Sequence, residues 1–390
     1  MKIAMLGQKG IPAAFGGIER HVEELATRLA ASGHEVFVYC RKWYAENREQ
    51  RTENGVEGRL KQKFIPSIKS KHLDAITHTL FSTLHAMVVL KPDIYHYHGV
   101  GPALLAWLPR LLRPRGRVIV TFHCLDRKHQ KWGLLARLSL RIGEWAACRF
   151  AHATITVSRT LQQYCAEVYE TKTHYIPNGI SVHGADQNSL ITRFNLQSGE
   201  YLAMVSRLVR HKGAHHLIRA WQRLGQEAPE LRGNLKLALV GDSAFTDDYV
   251  AELKTLANHD PSIVFTGFQS GAMLEALFAN ALLMVHPSES EGLPIAVLEA
   301  MSYGKVVLAS DIPENREVMA EHGFNFPTGN VVALKDKMME LLACRAALPK
   351  IGARAREFVI KNYHWDTIAR EVRQLYEATL LPRQPWPATS

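Results

Sequence analysis

Short, almost purely apolar runs alternate along the chain with segments whose apolar residues fall three and four apart. Lys2-Ile3-Ala4-Met5-Leu6 reads as a buried strand. A glycine-rich loop, Gln8 to Gly17, follows it, and then comes a helix from about Ile18 to Ser32 with Val22, Leu25, Ala26 and Leu29 on one stripe. Gly33-His34 ends that helix and Glu35-Val36-Phe37-Val38-Tyr39-Cys40 supplies the next strand, so the unit is a βαβ crossover of right-handed sense. Ile94 to His98 and Arg117 to His123 are further strands, each closing on a histidine, and Ala153 to Ser158 is another. After Tyr175-Ile176-Pro177-Asn178-Gly179-Ile180 the chain turns polar as far as Gly199. A second series then begins with Tyr201 to Val205 and continues through Leu235 to Gly241, Ile263 to Phe265, Ala281 to Val285 and Val306 to Ala309. Continuous apolar runs of this kind mark parallel strands covered on both faces. The pattern therefore predicts an α/β protein of two doubly wound parallel-sheet domains, 1–181 and 182–364, with a ligand cleft between them at the carboxyl ends of the strands. A helix over 365–380 is expected to pack back on the first domain, and the proline-rich end from Leu381 is expected to fray.

Composition agrees with a globular enzyme: 390 residues, 47% hydrophobic and 22% charged, suffice for two domains. Five cysteines are scattered without CxxC or metal spacing, which suits a reducing cytosol. The N-terminal apolar run is too short for a signal peptide, and no stretch approaches the roughly 18 apolar residues of a spanning helix, so a cytoplasmic location is expected. The net charge of +10 is uneven. Met1 to Gly179 holds 26 Lys and Arg against 14 Asp and Glu, and the remainder 21 against 23. A basic first half suits a phosphorylated substrate or an anionic leaflet; no nucleic-acid-binding module accompanies it.

Three stretches carry candidate chemistry. In the first loop Gly7, Gly10, Gly16 and Gly17 do not have the G-x-G-x-x-G spacing of a dinucleotide site, and no acidic residue ends the second strand. Gly16-Gly17 would instead allow positive φ just before the helix and let backbone approach an anionic group. Ser206-Arg207-Leu208-Val209-Arg210-His211-Lys212-Gly213 follows the first strand of the second domain, where a guanidinium and an ammonium together suit a diphosphate. His286 to Met301 combines a strand end, a turn with Glu291, Gly292 and Leu293, Pro294 as the first residue of a helix, and Glu299 within it. Carboxylates accept paired hydroxyl bonds, so Glu291 and Glu299 beside an anion site suit a ligand bearing both phosphate and hydroxyls. No Asp-x-Asp or His/Cys cluster of metal spacing is present, and no metal is expected.

Ser206-Arg207-Leu208 with Lys212-Gly213, followed by Glu291 and Glu299 eight positions apart, resembles the retaining glycosyltransferases of family 4, which have the two-domain GT-B fold of Rossmann-like halves. Gly16-Gly17-Ile18-Glu19-Arg20 with Gly33-His34-Glu35-Val36, and Ile176-Pro177-Asn178-Gly179-Ile180, extend the resemblance over most of the chain. Gly-Gln-Lys-Gly-Ile-Pro from Gly7, and His123 to Lys128 with Lys131-Trp132, resemble bacterial rhamnosyl- and related transferases of cell-surface polysaccharide assembly. The resemblance implies transfer of a hexose or deoxyhexose from a nucleotide diphosphate sugar, without metal. It places Arg207 and Lys212 on the diphosphate, Glu299 on the ribose, Glu291 on a sugar hydroxyl, Gly267 near the base, and the amides of Gly16, Gly17, Gly292 and Leu293 around the donor. Pro294, where many members have glycine, has no N–H to give. His123 is implied as the group facing the donor sugar, with His98 the runner-up, and Asp126, Arg127, Lys128 and Lys131 as neighbours of the acceptor. The basic, apolar segments Gly101 to Arg117 and Lys131 to Arg149 suit a lipid diphosphate carrier on the inner face of the plasma membrane, and equally a core helix with a solvated edge. The alternatives are a soluble acceptor, a sugar-nucleotide epimerase, or a non-catalytic sugar-binding protein.

Overall fold

The computed structural model describes residues 1–13, 16–46, 58–68, 70, 73–125, 127, 133–181, 188–244 and 246–381. The chain forms two compact units, Met1–Asn178 with Trp365–Ser390, and Gly179–His364.

In the first unit, β1 (Lys2–Leu6), β2 (Glu35–Arg41), β3 (Leu60–Ile65), β4 (Ile94–His98), β5 (Arg117–Phe122), β6 (Ala153–Thr156) and β7 (His174–Tyr175) make one sheet. Its order is β3-β2-β1-β4-β5-β6-β7, parallel at every pairing. The order reverses direction between β1 and β4, paired Ile3 to Ile94 through Leu6 to Tyr97, so the loops leaving these two strands define the crevice of the sheet. One face is covered by helices Gly17–Ala31 and Trp365–Leu380, whose Val22, Leu25, Leu29, Trp365, Ile368, Val372 and Tyr376 bury into the sheet. Each such side chain contributes roughly 2 kcal/mol of burial, which draws the last helix of the chain back onto the first unit.

In the second unit, β8 (Tyr201–Val205), β9 (Lys236–Val240), β10 (Ile263–Gly267), β11 (Leu283–His286), β12 (Val306–Ser310) and β13 (Phe324–Phe326) form a parallel sheet ordered β10-β9-β8-β11-β12-β13. The reversal falls between β8 and β11, paired at Leu202 to Leu283. Helix Ala214–Glu227 packs on it through Leu217, Ile218, Trp221 and Leu224.

Several elements differ from the sequence pattern. β3 reads Leu60-Lys-Gln-Lys-Phe-Ile, an edge strand that keeps Lys61 and Lys63 partly exposed, so it has no continuous apolar run. β7 and β13 are too short to show a period. The strand placed at Ala281 to Val285 begins at Leu283, because Ala281 caps helix Gly271–Asn280. The helix placed at Pro294 begins at Ile295, with Pro294 in the extended cap conformation at φ −76°, ψ 96°. The basic, apolar segment Gly101 to Arg117 runs through two short helices, Val100–Ala103 and Trp107–Leu112, to the start of β5.

Candidate active site

In the second unit, the loop leaving β8 carries Arg207 and Lys212. Leu208 and Val209 anchor it in the core, Leu208 N–H donates to Asp242 O at 2.9 Å, and Arg207 stays exposed. A short 3-10 turn, Arg210–Lys212, leads into Gly213 at φ +75° and then helix Ala214–Glu227. A Cβ at Gly213 would stand 2.1 Å from Pro287 O, so glycine is required both by the left-handed turn and by this close approach. The approach seats the β8 loop against the loop leaving β11. Glu289 N–H donates to His211 O at 2.8 Å, Ser288 Oγ to His211 O at 3.3 Å, and Ser310 Oγ to Ser288 O, with Asn315 Nδ2 holding Ser310 from below at 3.0 Å.

The seating brings two predicted site residues into direct contact. Lys212 Nζ lies 2.5 Å from Glu291 Oε1, and His286 Nε2 lies 2.8 Å from the same oxygen. The Glu291 side chain is only 8% exposed. Burial alone would raise its pKa, but the Lys212 ammonium and the His286 hydrogen bond outweigh it and hold the carboxyl well below the usual range. An ionised Glu291 only accepts, so His286 Nε2–H donates to it, while the buried His286 Nδ1 has no hydrogen-bond partner. His286, Ser288 and His211 are thus part of the site and were not singled out in the sequence; His286 ends its strand as His98 does, which was the available signal.

Gly292 and Leu293 are buried in the turn before helix Ile295–Ser302, and Glu299 stands half-buried on that helix. Leu298 N–H closes back on Pro294 O at 3.3 Å, completing the turn without a Pro294 donor. Gly267 ends β10 at φ +68° with open space where a Cβ would go, and accepts from Gly241 N–H at 3.0 Å. Exposed Phe268 follows it.

In the first unit, the glycine loop is braced from within. Gln8 Nε2 donates to Met5 O at 2.8 Å and Tyr39 O at 3.0 Å, and Lys9 N–H donates to Glu19 Oε1 at 3.2 Å. Gly16 caps helix Gly17–Ala31 at φ +94°, and a Cβ there would meet Glu19 Oε2 at 2.7 Å. Gly17 is the first helical residue and does not have positive φ, which corrects the expectation for the pair. The buried Glu19 carboxylate beside Gly16 means that the loop offers an acceptor as well as amide donors.

His123 directly follows β5, and the structure gathers three further histidines around it. His98 Nδ1 lies 3.4 Å from His123 Nε2; His21, on helix Gly17–Ala31, packs edge-on to His123 with ring centres 4.8 Å apart; His96 lies 4.1 Å from His98. His96 is fixed between Tyr376 OH at 2.6 Å and Thr121 Oγ1 at 2.7 Å, and His21 Nδ1 lies 2.9 Å from Asn178 Oδ1. All four rings are buried. Burial, reinforced for His96, His98 and His123 by the neighbouring imidazoles, lowers their pKa values well below the usual range, and burial takes His21 to about 4 despite its bond to Asn178. At neutral pH the cluster is uncharged, so His123 acts as a polar hydrogen-bonding group and not as a cation. His21 and His96 were missed because their partners, Asn178 and Tyr376, lie 157 and 280 residues away.

Arg127 binds the fully buried Glu144 through Nε at 3.0 and 3.1 Å and Tyr164 OH at 2.8 Å. It also lines an open pocket of about 440 Å³ with Leu134, Arg137, Leu138 and Arg141. Asp126, Lys128 and Lys131 lie outside the described residues.

Two parallel-sheet units, each with its candidate groups on loops leaving the strands at a topological switch point, define a GT-B protein. The family described as Glycosyltransferase Family 4 matches residues 15–183, and Glycosyl transferases group 1 matches residues 192–358. The chain is a glycosyltransferase of this type. It is 26% identical over 408 residues to the uncharacterized glycosyltransferase MJ1607 of Methanocaldococcus jannaschii, covering 97% of this chain and 99% of that one. Its fold matches sucrose-phosphate synthase from Thermosynechococcus elongatus with a TM-score of 0.81 at 22% identity, over 97% of this chain and 98% of that one. It also matches Anabaena Alr3699/HepE in complex with UDP-glucose, with a TM-score of 0.77 at 20% identity, over 97% of this chain and all of the other.

Proposed function

We propose that the protein is a retaining glycosyltransferase that moves a hexose or deoxyhexose, of the rhamnosyl kind, from a nucleotide diphosphate sugar to a lipid-linked glycan acceptor in surface polysaccharide biosynthesis. The observation that carries the reading is the Lys212–Glu291 contact at the switch point of the second sheet. It sets a diphosphate-binding cation and a hydroxyl-binding carboxylate on one spot, as a sugar diphosphate requires. Arg207 and Lys212 take the charge that develops on the departing nucleoside diphosphate, the main catalytic term, and this leaves no task for a metal in the transfer. As the ammonium turns to phosphate, Glu291 is released to a sugar hydroxyl; Glu299 takes the ribose, and the turn at Gly292 and Leu293 lines the donor. Neutral His123 offers a hydrogen bond to the sugar. The UDP-glucose held by the Anabaena protein supports a nucleotide sugar as donor.

A lipid-linked acceptor is supported by helix Leu134–Arg149. Leu134, Leu135, Leu138, Ile142 and Trp145 on it are 44 to 85% exposed, and Arg137 and Arg141 lie among them. Such an apolar and basic stripe suits the interface of an anionic leaflet, at the cytoplasmic face of the membrane. Among the described residues, no helix is long and apolar enough to cross a membrane.

The test is a thermal-shift screen of nucleotide sugars, followed by assay of each hit with a lipid-linked acceptor on anionic vesicles at low and high salt. Acceptor-dependent nucleotide release and a product with the donor's anomeric configuration are expected. Donor turnover without acceptor, as in an epimerase, or an inverted product overturns the reading. Equal rates with a soluble acceptor and no vesicle binding at low salt overturn its membrane part.

A further inference from the structure

We infer that His21, His98 and His123 form a three-imidazole site for a divalent transition-metal ion of the zinc class. The inference is separate from the donor site of the second unit and does not rest on the proposed transfer. One ring nitrogen from each histidine lies within 4.8 Å of the other two. Imidazoles that radiate from one tetrahedral ion, with metal–nitrogen bonds of about 2.0 Å, have ring centres about 5.2 Å and nitrogens about 3.3 Å apart. The ring centres here are 4.8, 5.5 and 5.6 Å apart, and His98 Nδ1 and His123 Nε2 are separated by 3.4 Å. The ring centres and the His98–His123 nitrogen pair thus stand near the spacing of a shared ion, with a nitrogen of His21 within 4.8 Å of both.

The second observation is the state of His21. Its side chain is 2% exposed, Asn178 Oδ1 accepts from Nδ1–H, and Nε2 has no hydrogen-bond partner. A buried bare nitrogen is costly unless something occupies it. Holding one N–H on an amide oxygen, so that the other nitrogen keeps its lone pair, is also the way metal-binding histidines are oriented. His98 Nε2 lies 3.3 Å from Met5 Sδ; with the ring proton on that side, Nδ1 turns its lone pair towards His123 Nε2, 3.4 Å away. Helix Gly17–Ala31 and β4 supply one ligand each and the residue directly after β5 the third, so two of the three are held by rigid elements, and His123 is the most exposed of the three at 7%. Three neutral nitrogens suit Zn²⁺ or Co²⁺ and disfavour Mg²⁺ or Ca²⁺, which want oxygen. Bound metal takes the ring nitrogen of His123 and withdraws it from other partners.

The test uses the full chain, without a histidine tag and stripped with a chelator, titrated with Zn²⁺ against a chromophoric competitor and with Co²⁺ followed by visible absorption. One equivalent of each is expected, with the intense visible bands of tetrahedral Co²⁺. His98→Ala is expected to weaken binding at least 10-fold, and His216→Ala to leave it unchanged. His216 belongs to a second group, with His215 and Glu289, that offers a carboxylate. Should His98→Ala fail to fold, X-ray absorption of the zinc-loaded wild type decides: three imidazoles at about 2.0 Å support the site. No stoichiometric uptake, loss of binding with His216→Ala, or a shell containing carboxylate overturns it.

Discussion

The two units bury polar side chains next to their switch points in opposite ways. The second sets Lys212 against Glu291 and fixes the carboxylate with His286, so its site is charged and internally neutralised. The first gathers His21, His96, His98 and His123 and keeps all of them uncharged. The difference lies in what each can then exchange with a ligand. An ion pair can be opened by a competing anion, because phosphate replaces carboxylate on the ammonium with little new desolvation. A neutral cluster gains from hydrogen-bonding or metal partners and resists added protons.

The most forceful way to break this contrast is to remove the cation. Lys212→Ala is expected to lower kcat/KM about 100-fold to 1,000-fold, the loss of one group that stabilises developing charge. It also strands a buried carboxylate and should cost roughly 3 kcal/mol of stability. Adding Glu291→Gln is expected to restore much of the stability and none of the activity, which urea denaturation and steady-state assay would resolve. Recovery of activity in the double variant would remove Lys212 from the diphosphate.

Acid sharpens the contrast at a similar or smaller scale. A histidine whose folded pKa is depressed leaves the unfolded chain binding more protons, so stability is fully present above the ordinary value of 6.5 and declines as pH falls towards the folded value. For His21 the window runs from 6.5 to about 4 and amounts to roughly 3 kcal/mol. Glu291 has a lowered carboxyl pKa, so its contribution persists below pH 4.5 and is lost only in stronger acid. Hydrogen exchange by mass spectrometry in the presence of a chelator, corrected for intrinsic rates, should therefore show the first unit losing more protection between pH 6.5 and 4.5 than the second, where burial lowers His215 to about 4. A larger loss in the second unit would contradict the neutral-cluster account.

Two glycines give the smallest stability effects and divide seating from conformation. Gly213→Ala meets Pro287 O as well as a left-handed φ, and should cost about 2 kcal/mol or more, with loss of the Lys212–Glu291 geometry and of activity. Gly267→Ala meets only the φ penalty, about 1 kcal/mol, and should leave the pair intact. Thermal denaturation with donor binding checks both; equal costs would mean that the seating of the two loops is unimportant.

Much of this was legible before any coordinates. The βα alternation, the glycine loop, Arg207 and Lys212 after one strand, and Glu291 and Glu299 around a turn are all local signals, carried by residues within one loop or helix. Strand ends moved by a residue or two where a cap competed with a strand, as at Ala281, and the edge strand at Leu60 hid behind its lysines. The open stripe on helix Leu134–Arg149 could not be told from a core face by periodicity alone, since the pattern of apolar positions is the same in both.

The sequence by itself determined the two-domain α/β architecture and the kinds of group available to bind a sugar diphosphate, because both follow from patterns shorter than a βαβ unit. Only the tertiary structure decided which groups meet. Lys212 reaches Glu291 because β8 and β11 are neighbours despite the strands between them in sequence, and because Gly213 lets their loops touch. Four histidines become one cluster because β4, β5, the first helix and the last helix converge on one crevice, and pairing of strands and burial of a helix face are long-range choices that no local pattern records.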